Sequence, residues 1–133
     1  MNKPKFAGTC IIQDGKILLV QESHIEARGL WSLPLGHVED NENETEGAIR
    51  ETREETGYNV FLGKSKKLEI TGKDFKSIHK FNHDFVDLTI FEGKIIGGIL
   101  KKGDDMLGAK WFNLDEIEKL PLRGNWLKLF ISK

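Results

Sequence analysis

Glu51, Glu54 and Glu55 span five residues, with Arg50 directly before the first of them. At about 100° per helical residue the three carboxylates fall within an arc of roughly 100°, so a helix through this segment crowds them onto one stripe. Like charges held so closely repel one another unless cations neutralise them. A ligand set made only of oxygens suits hard divalent ions, Mg²⁺ or Mn²⁺, which bind jointly to protein carboxylates, water and phosphate oxygens. Arg50 stands four residues before Glu54 and four after Glu46, a spacing at which it braces both. An exposed pair of that kind contributes only about 0.5 kcal/mol or less, so its use here is to orient a carboxylate. Glu42, in the preceding loop, is placed to reach back to Arg50 or to a water of the cation.

The elements around these residues must hold the stripe at the edge of a core. Asn43 is the expected N-cap and Glu46, three residues later, completes a capping box; Gly57 is the expected left-handed stop. The helix therefore runs over 44–56. Ala48, Ile49 and Thr52, with Thr45 and Thr56, fall on a neighbouring arc that packs on a sheet. Glycine inside a helix costs about 1 kcal/mol relative to alanine, so Gly47 reads either as simple tolerance or as room for a ligand or loop.

Upstream, 6–13 and 16–22 are β-like runs separated by Asp14-Gly15, a dipeptide that favours a tight hairpin. Residues 23–30 read as a loop and 31–34 as a short extended stretch leading to Gly36. Downstream, 58–70 and 81–90 read as strands, and 94–100 continues the sheet with a bend or bulge at Gly97-Gly98. Residues 71–78 read as a loop over the site, 109–112 as a last strand, and 115–120 and 126–131 as helices. No repeat or linker interrupts this order, so 1–133 is read as one mixed, layered α/β domain.

The run GHVEDNENETEGAIRETREETGY, from Gly36 to Tyr58, resembles the signature box of the Nudix family of pyrophosphohydrolases. All seven fixed residues are present as Gly36, Glu42, Arg50, Glu51, Glu54, Glu55 and Gly57. A chance match at one starting point is on the order of 10⁻⁸. A solvated, salt-bridged helix would explain the charges, but it needs neither the bounding glycines nor Glu42. The chain departs from the pattern at Thr52 and Tyr58, where the family has aliphatic residues, and at Leu35, where it has glycine.

The resemblance implies the Nudix α/β/α sandwich and metal-assisted attack of water on a diphosphate linkage. Glu51, Glu54, Glu55 and the Gly36 carbonyl would hold Mg²⁺ or Mn²⁺, with Arg50 and Glu42 orienting them. Glu51 is the first choice of general base. Asp105 is the second, because it precedes Trp111 by six residues, where relatives often carry a catalytic glutamate. Arg28 is a candidate phosphate or base contact. Asn125 lies where some nucleoside-triphosphate-cleaving relatives read the base, and is equally a helix cap. Phe75, Phe81 and Trp126 are candidates for base stacking, although large aromatics more often serve the core. The implied substrate is a nucleoside diphosphate linked to another moiety, foremost a nucleoside triphosphate as in MutT-like members. Motifs of NADH-cleaving and ADP-ribose-cleaving members are absent, and Phe75 stands near the tyrosine position of dinucleoside-polyphosphate hydrolases. A nucleotide sensor without turnover and an RNA 5′-end pyrophosphohydrolase stay open as alternatives.

Composition narrows the partners. The 20 basic and 21 acidic residues give a net charge of −1, which argues against a broad surface for duplex DNA or an anionic membrane. A polyanionic ligand then depends on local cations. No segment approaches the ~20 apolar residues of a membrane helix, and the N-terminus lacks a cleavage-site pattern. Cys10, the sole cysteine, excludes an internal disulfide and fits a small core residue in a cytoplasmic protein. His79 and His83 have the i, i+4 spacing of a zinc helix without its glutamate, and His24 and His37 lack that spacing. A homodimer is compatible with all of these features.

Overall fold

Asp14 and Gly15 adopt φ of 54° and 75°, two successive left-handed residues whose twist matches a tight hairpin. In this computed structural model, which describes residues 3–76 and 85–131, that hairpin joins only β2 (Ile12–Gln13) to β3 (Lys16–Glu22). The expected single strand over 6–13 is therefore corrected: β1 (Lys5–Cys10) belongs to a different sheet. The break falls at Ile11, which is buried and whose carbonyl accepts from the Leu18 amide at 3.1 Å.

The first sheet has the order β5 (Leu35–His37), β1, β7 (Phe85–Gly98), β6 (Tyr58–Thr71). Its β1–β7 pair is parallel and the others antiparallel, giving the expected mixed sheet. In the second sheet β3 pairs with β8 (Met106–Asn113) along one edge and with β2 and β4 (Trp31–Ser32) along the other.

Strand β1 is covered on both faces, which is why its sequence reads as almost continuously apolar rather than alternating. Phe6 and Cys10 face a core shared with Leu88, Phe75, Trp126 and Leu127. Ala7 faces α1 (Glu44–Thr56) through Ala48. Thr9 lies on that same face and its hydroxyl meets the Thr52 hydroxyl at 2.8 Å, both side chains fully buried. Threonine inside the helix, where an aliphatic residue was expected, is thus matched by a polar partner on the strand.

Both ends of α1 form as read from the sequence. Asn43 Oδ1 accepts from the Glu46 amide at 2.8 Å, and the Asn43 amide donates to Glu46 Oε1 at 3.0 Å. Gly57 has φ of 83° and donates to the Arg53 carbonyl at 2.9 Å; a side chain there would also strike the Ile99 carbonyl.

The runs 85–90 and 94–98 are one strand, β7, with Ile96 passed over at a register shift and Gly98 at φ 89°. Residues 77–84, including Phe81, His79 and His83, lie outside the described residues. The reading of 71–78 as a loop is corrected for its first part. Gly72–Phe75 is a helical turn, α2, capped by Thr71, because Phe75 is an anchor of the core. Strand β8 is longer than the expected 109–112, residues Leu114–Lys119 form a 3-10 helix, and α3 is Leu127–Ile131. With α1 on one face of the first sheet and α2 and α3 against the other core, the architecture is the expected α/β/α layering. Among the described residues no helix is long and apolar enough to cross a membrane.

Two outcomes follow from this packing. Thr9→Val and Thr52→Val should each cost about 1–3 kcal/mol in urea unfolding, because each strands a buried hydroxyl, while the double variant costs less than their sum; strict additivity would show that the hydroxyls do not interact. Burial, reinforced by Glu92, pushes the Cys10 thiol from an ordinary 9.0 up to about 12. The native thiol keeps its proton where the unfolded one loses it, so its contribution is complete below pH 9 and is lost as pH rises toward 12. Cys10→Ala should flatten the decline of unfolding free energy over that window.

Candidate active site

Arg50 organises the polar face of α1. Its Nε and Nη2 bind Glu42 in a two-point fork at 3.0 and 2.6 Å, and Nη2 also donates to the His37 carbonyl at 3.0 Å. Nη1 reaches Glu51 Oε2 and Glu54 Oε1, each at 3.1 Å. The guanidinium hydrogen bond holds the Glu42 carboxyl below the usual carboxylate range, and the same bond raises Arg50 further. The expected brace between Arg50 and Glu46 does not form. Glu46 is used in the capping box instead, so Arg50 looks toward the loop and the C-terminal half of the helix.

The loop that carries Glu42 lies tight on α1. A side-chain carbon at Gly47 would meet Glu42 Oε1 at 3.1 Å and Val38 Cγ2 at 3.3 Å, so Gly47 makes room for the loop rather than for a ligand. Gly36 has the corresponding role toward Glu51: a carbon added there would fall on the Glu51 carboxylate. Because Gly36 pairs with Ala7 of β1, the sheet fixes the backbone against which Glu51 lies.

Burial grades the three helix carboxylates. Glu54 is half exposed, Glu51 largely buried, and Glu55 only 7% exposed with Oε1 accepting from the Leu35 amide at 3.3 Å. Burial raises the Glu51 carboxyl, partly offset by Arg50. It raises Glu55 much further, with the charges of Glu51 and Glu22 adding to the effect. The Glu51 charge acts directly on Glu55, one turn of helix further on. One amide and one shared guanidinium leave this pair short of positive charge, and a Gly36 backbone that no Cβ blocks stands beside it. Among the described residues no three acidic, histidine or cysteine side chains already converge as a metal cage, but the oxygen-only chemistry of this pair is the kind a hard divalent cation takes.

The remaining candidates separate. Asp105 is exposed on a turn that is tied to the end of α1, since Gly103 donates to the Glu55 carbonyl at 3.1 Å and Lys101 to the Thr56 carbonyl at 2.8 Å. The Ser23 hydroxyl donates to the Asp105 carbonyl, and exposed Arg28 donates to the Ser23 carbonyl at 2.9 Å. Arg28 and Asp105 therefore flank one loop junction. Asn125 is exposed at a separate cleft of about 460 Å³ with Asp74, Lys76 and Phe85, and none of the α1 carboxylates lines it. Phe75 and Trp126 pack on each other at 5.6 Å inside the core, which removes them as free stacking platforms. His37 sets its ring edge-on to Phe6.

Sequence reading missed a buried ion pair. Glu22 Oε2 accepts from Arg123 Nη1 at 2.9 Å, and both side chains are about 5% exposed. Their only sequence signals are a carboxylate closing the apolar run KILLVQ and a lone arginine between Leu122 and Gly124, 101 residues away.

Comparison with known proteins gives the family. The NUDIX domain profile matches residues 3–131. The chain is 36% identical over 110 residues to an ADP-ribose pyrophosphatase of Methanocaldococcus jannaschii, covering 83% of this chain and 62% of that protein. It is 34% identical over 112 residues to Nudix hydrolase 6 of Arabidopsis thaliana, covering 80% of this chain and 37% of that protein. The chain thus spans less than two thirds of either relative. A NUDIX hydrolase structure from Nitrosomonas europaea superposes with a TM-score of 0.84 at 23% identity, covering 98% of this chain and 87% of the other. The chain belongs to the Nudix family of hydrolases.

Gly36→Ala tests the cradle. The added methyl displaces the flexible end of Glu51 rather than backbone, so the thermal midpoint should stay near that of the wild type while Mn²⁺ affinity, followed by electron paramagnetic resonance, falls at least ~10-fold. Unchanged Mn²⁺ binding would remove Glu51 and Gly36 from the cation set.

Proposed function

We propose that this chain is a metal-dependent pyrophosphohydrolase that cleaves the diphosphate linkage of a nucleoside diphosphate joined to another moiety, with nucleoside triphosphates and modified nucleotides as the leading substrates. The observation that carries this reading is the convergence of Glu51 and Glu55 beside Gly36, with Glu54 on the same stripe and Arg50 across it. Bound Mg²⁺ or Mn²⁺ supplies Lewis acidity toward the phosphate oxygens and the attacking water.

Glu51, Glu54, Glu55 and the Gly36 carbonyl would hold the ion. Arg50 keeps Glu51 and Glu54 aimed at it, and Glu42 fixes Arg50. Glu51 is the first choice to take the proton of the attacking water. Asp105, on the loop seated on the end of α1, is the second choice for that role. The relative named as an ADP-ribose pyrophosphatase brings ADP-ribose into the substrate panel beside the triphosphates.

A panel of nucleotides and nucleotide conjugates with Mg²⁺ or Mn²⁺, with products resolved, tests the reaction. Turnover should release a nucleoside monophosphate; metal-independent binding of every compound without turnover would favour a sensor. Glu54→Gln and Glu55→Gln should each lower kcat/KM by at least ~100-fold with the fold intact, and near-normal rates in both would overturn the site. Retained activity in Glu51→Gln, together with loss in Asp105→Asn, would move the base to Asp105.

A further inference from the structure

Strand β1 ends at Cys10, opposite Glu92 of β7, and beyond that level β6 and β7 continue alone as a two-stranded ribbon over 58–62 and 93–98. Residues directly opposed across two strands share a face. Val60 and Ile95 are opposed and face inward, onto Ile11, Leu18 and Trp111. Phe61 and Lys94, the next opposed pair, face the other way, on the continuation of the side that carries Leu88 and Ile90. Helix α3 covers that side only as far as Ile90: the ammonium of Lys66, the strand partner of Ile90, donates to the Leu129 carbonyl at 2.8 Å. Past this level Phe61 is 67% exposed and Ile96, at the register shift, 65% exposed, while Leu129 at the rim is half exposed. Large apolar side chains grouped on an open face mark an association surface.

We propose that this face binds a second copy of the same chain, about a two-fold axis that crosses β7 near Gly93. Glu92 and Lys94 occupy alternate positions of one strand, and among the described residues neither has an ion-pair partner. An axis that reverses the strand direction sets each Glu92 against Lys94 of the second copy, so one strand supplies both halves of a self-complementary contact. The same rotation carries Phe61 over the second copy's Gly63, where no side chain intrudes, and Ile96 toward its Leu129. Sheets stacked face to face lie ~10 Å apart, a gap that side chains of this size fill. The surface is independent of the cation site, because α1 packs on the opposite face of the sheet and its carboxylates lie toward β5 at the far edge.

Sedimentation equilibrium of the full chain over a range of concentrations tests this, with circular dichroism to verify folding. The wild-type mass should rise from one chain toward two. Phe61→Asp and Lys94→Glu should each weaken dimerisation at least ~10-fold, the first by placing a charge in the apolar centre and the second by setting glutamate against glutamate. Glu92→Lys/Lys94→Glu restores opposite charges across the axis and should return to within about threefold of wild type. A monomer at every concentration would overturn the proposal, whatever other partner the face then takes, and so would a mass that climbs past two chains. A dimer indifferent to either single variant, or a folded charge-exchanged variant as weak as Lys94→Glu, overturns it as well. If Phe61→Asp does not fold, Phe61→Ser decides in its place: it should weaken dimerisation at least ~3-fold by loss of apolar area, and wild-type association there counts against the proposal.

Discussion

The two-point bond between Arg50 and Glu42 makes one site out of two pieces of chain. Without it, α1 would carry a stripe of carboxylates and the loop from His37 to Glu42 would be only a connection. With it, one planar guanidinium sets Glu51, Glu54, Glu42 and the His37 carbonyl in a common frame. Arginine suits this position because its donors diverge in a rigid plane, so satisfying Glu42 with one edge leaves Nη1 directed at the helix. A lysine offers one ammonium and does not span the same set. The frame also requires the loop to lie close to the helix, and Gly47 provides that closeness.

Strand β1 supplies the second constraint. Covered on both faces, it has no solvated side, and its neighbours have little freedom. It positions β5 by pairing Ala7 with Gly36, and it positions α1 through Ala7, Ala48 and the buried Thr9–Thr52 contact. The strand beside which Glu51 lies and the helix that carries Glu51 are therefore referenced to the same few residues. A polar contact inside that seam is directional, so it resists rotation of the helix more than an aliphatic pair of equal volume would.

Local chemistry determined what was legible in the sequence. The helix 44–56 and both of its caps were readable because cap, capping box and left-handed stop are short-range signals within one segment. The box residues were readable for the same reason. The split of 6–13 between two sheets was not, since strand partners are chosen by distant segments and Ile11 is apolar on either account. Phe75 looked like a loop residue because four helical residues have no period to read, and its burial comes from Phe6 and Trp126 far along the chain. Glu22 and Arg123 were invisible for a stronger reason. A buried pair 101 residues apart has no spacing rule, and each partner alone resembles an ordinary surface charge.

The site is a graded series of acids rather than a cluster of equals. Its side chains pass from Glu54, 53% exposed, through Glu51 at 16%, to Glu55 and then Glu22 at 5%, each acting on the next. At the outer end water screens the charge, and Arg50 serves as a partner that a ligand can share. Farther in there is little screening, so each added carboxylate depends on a fixed cation or an arriving one. Arg50 pairs with both Glu51 and Glu54 and Arg123 pairs with Glu22, whereas Glu55 accepts from the Leu35 amide. Gly36, which has no side chain, lets the Glu51 carboxylate lie directly against the strand. A divalent ion at this position, as proposed, would supply the positive charge that the fixed donors leave wanting.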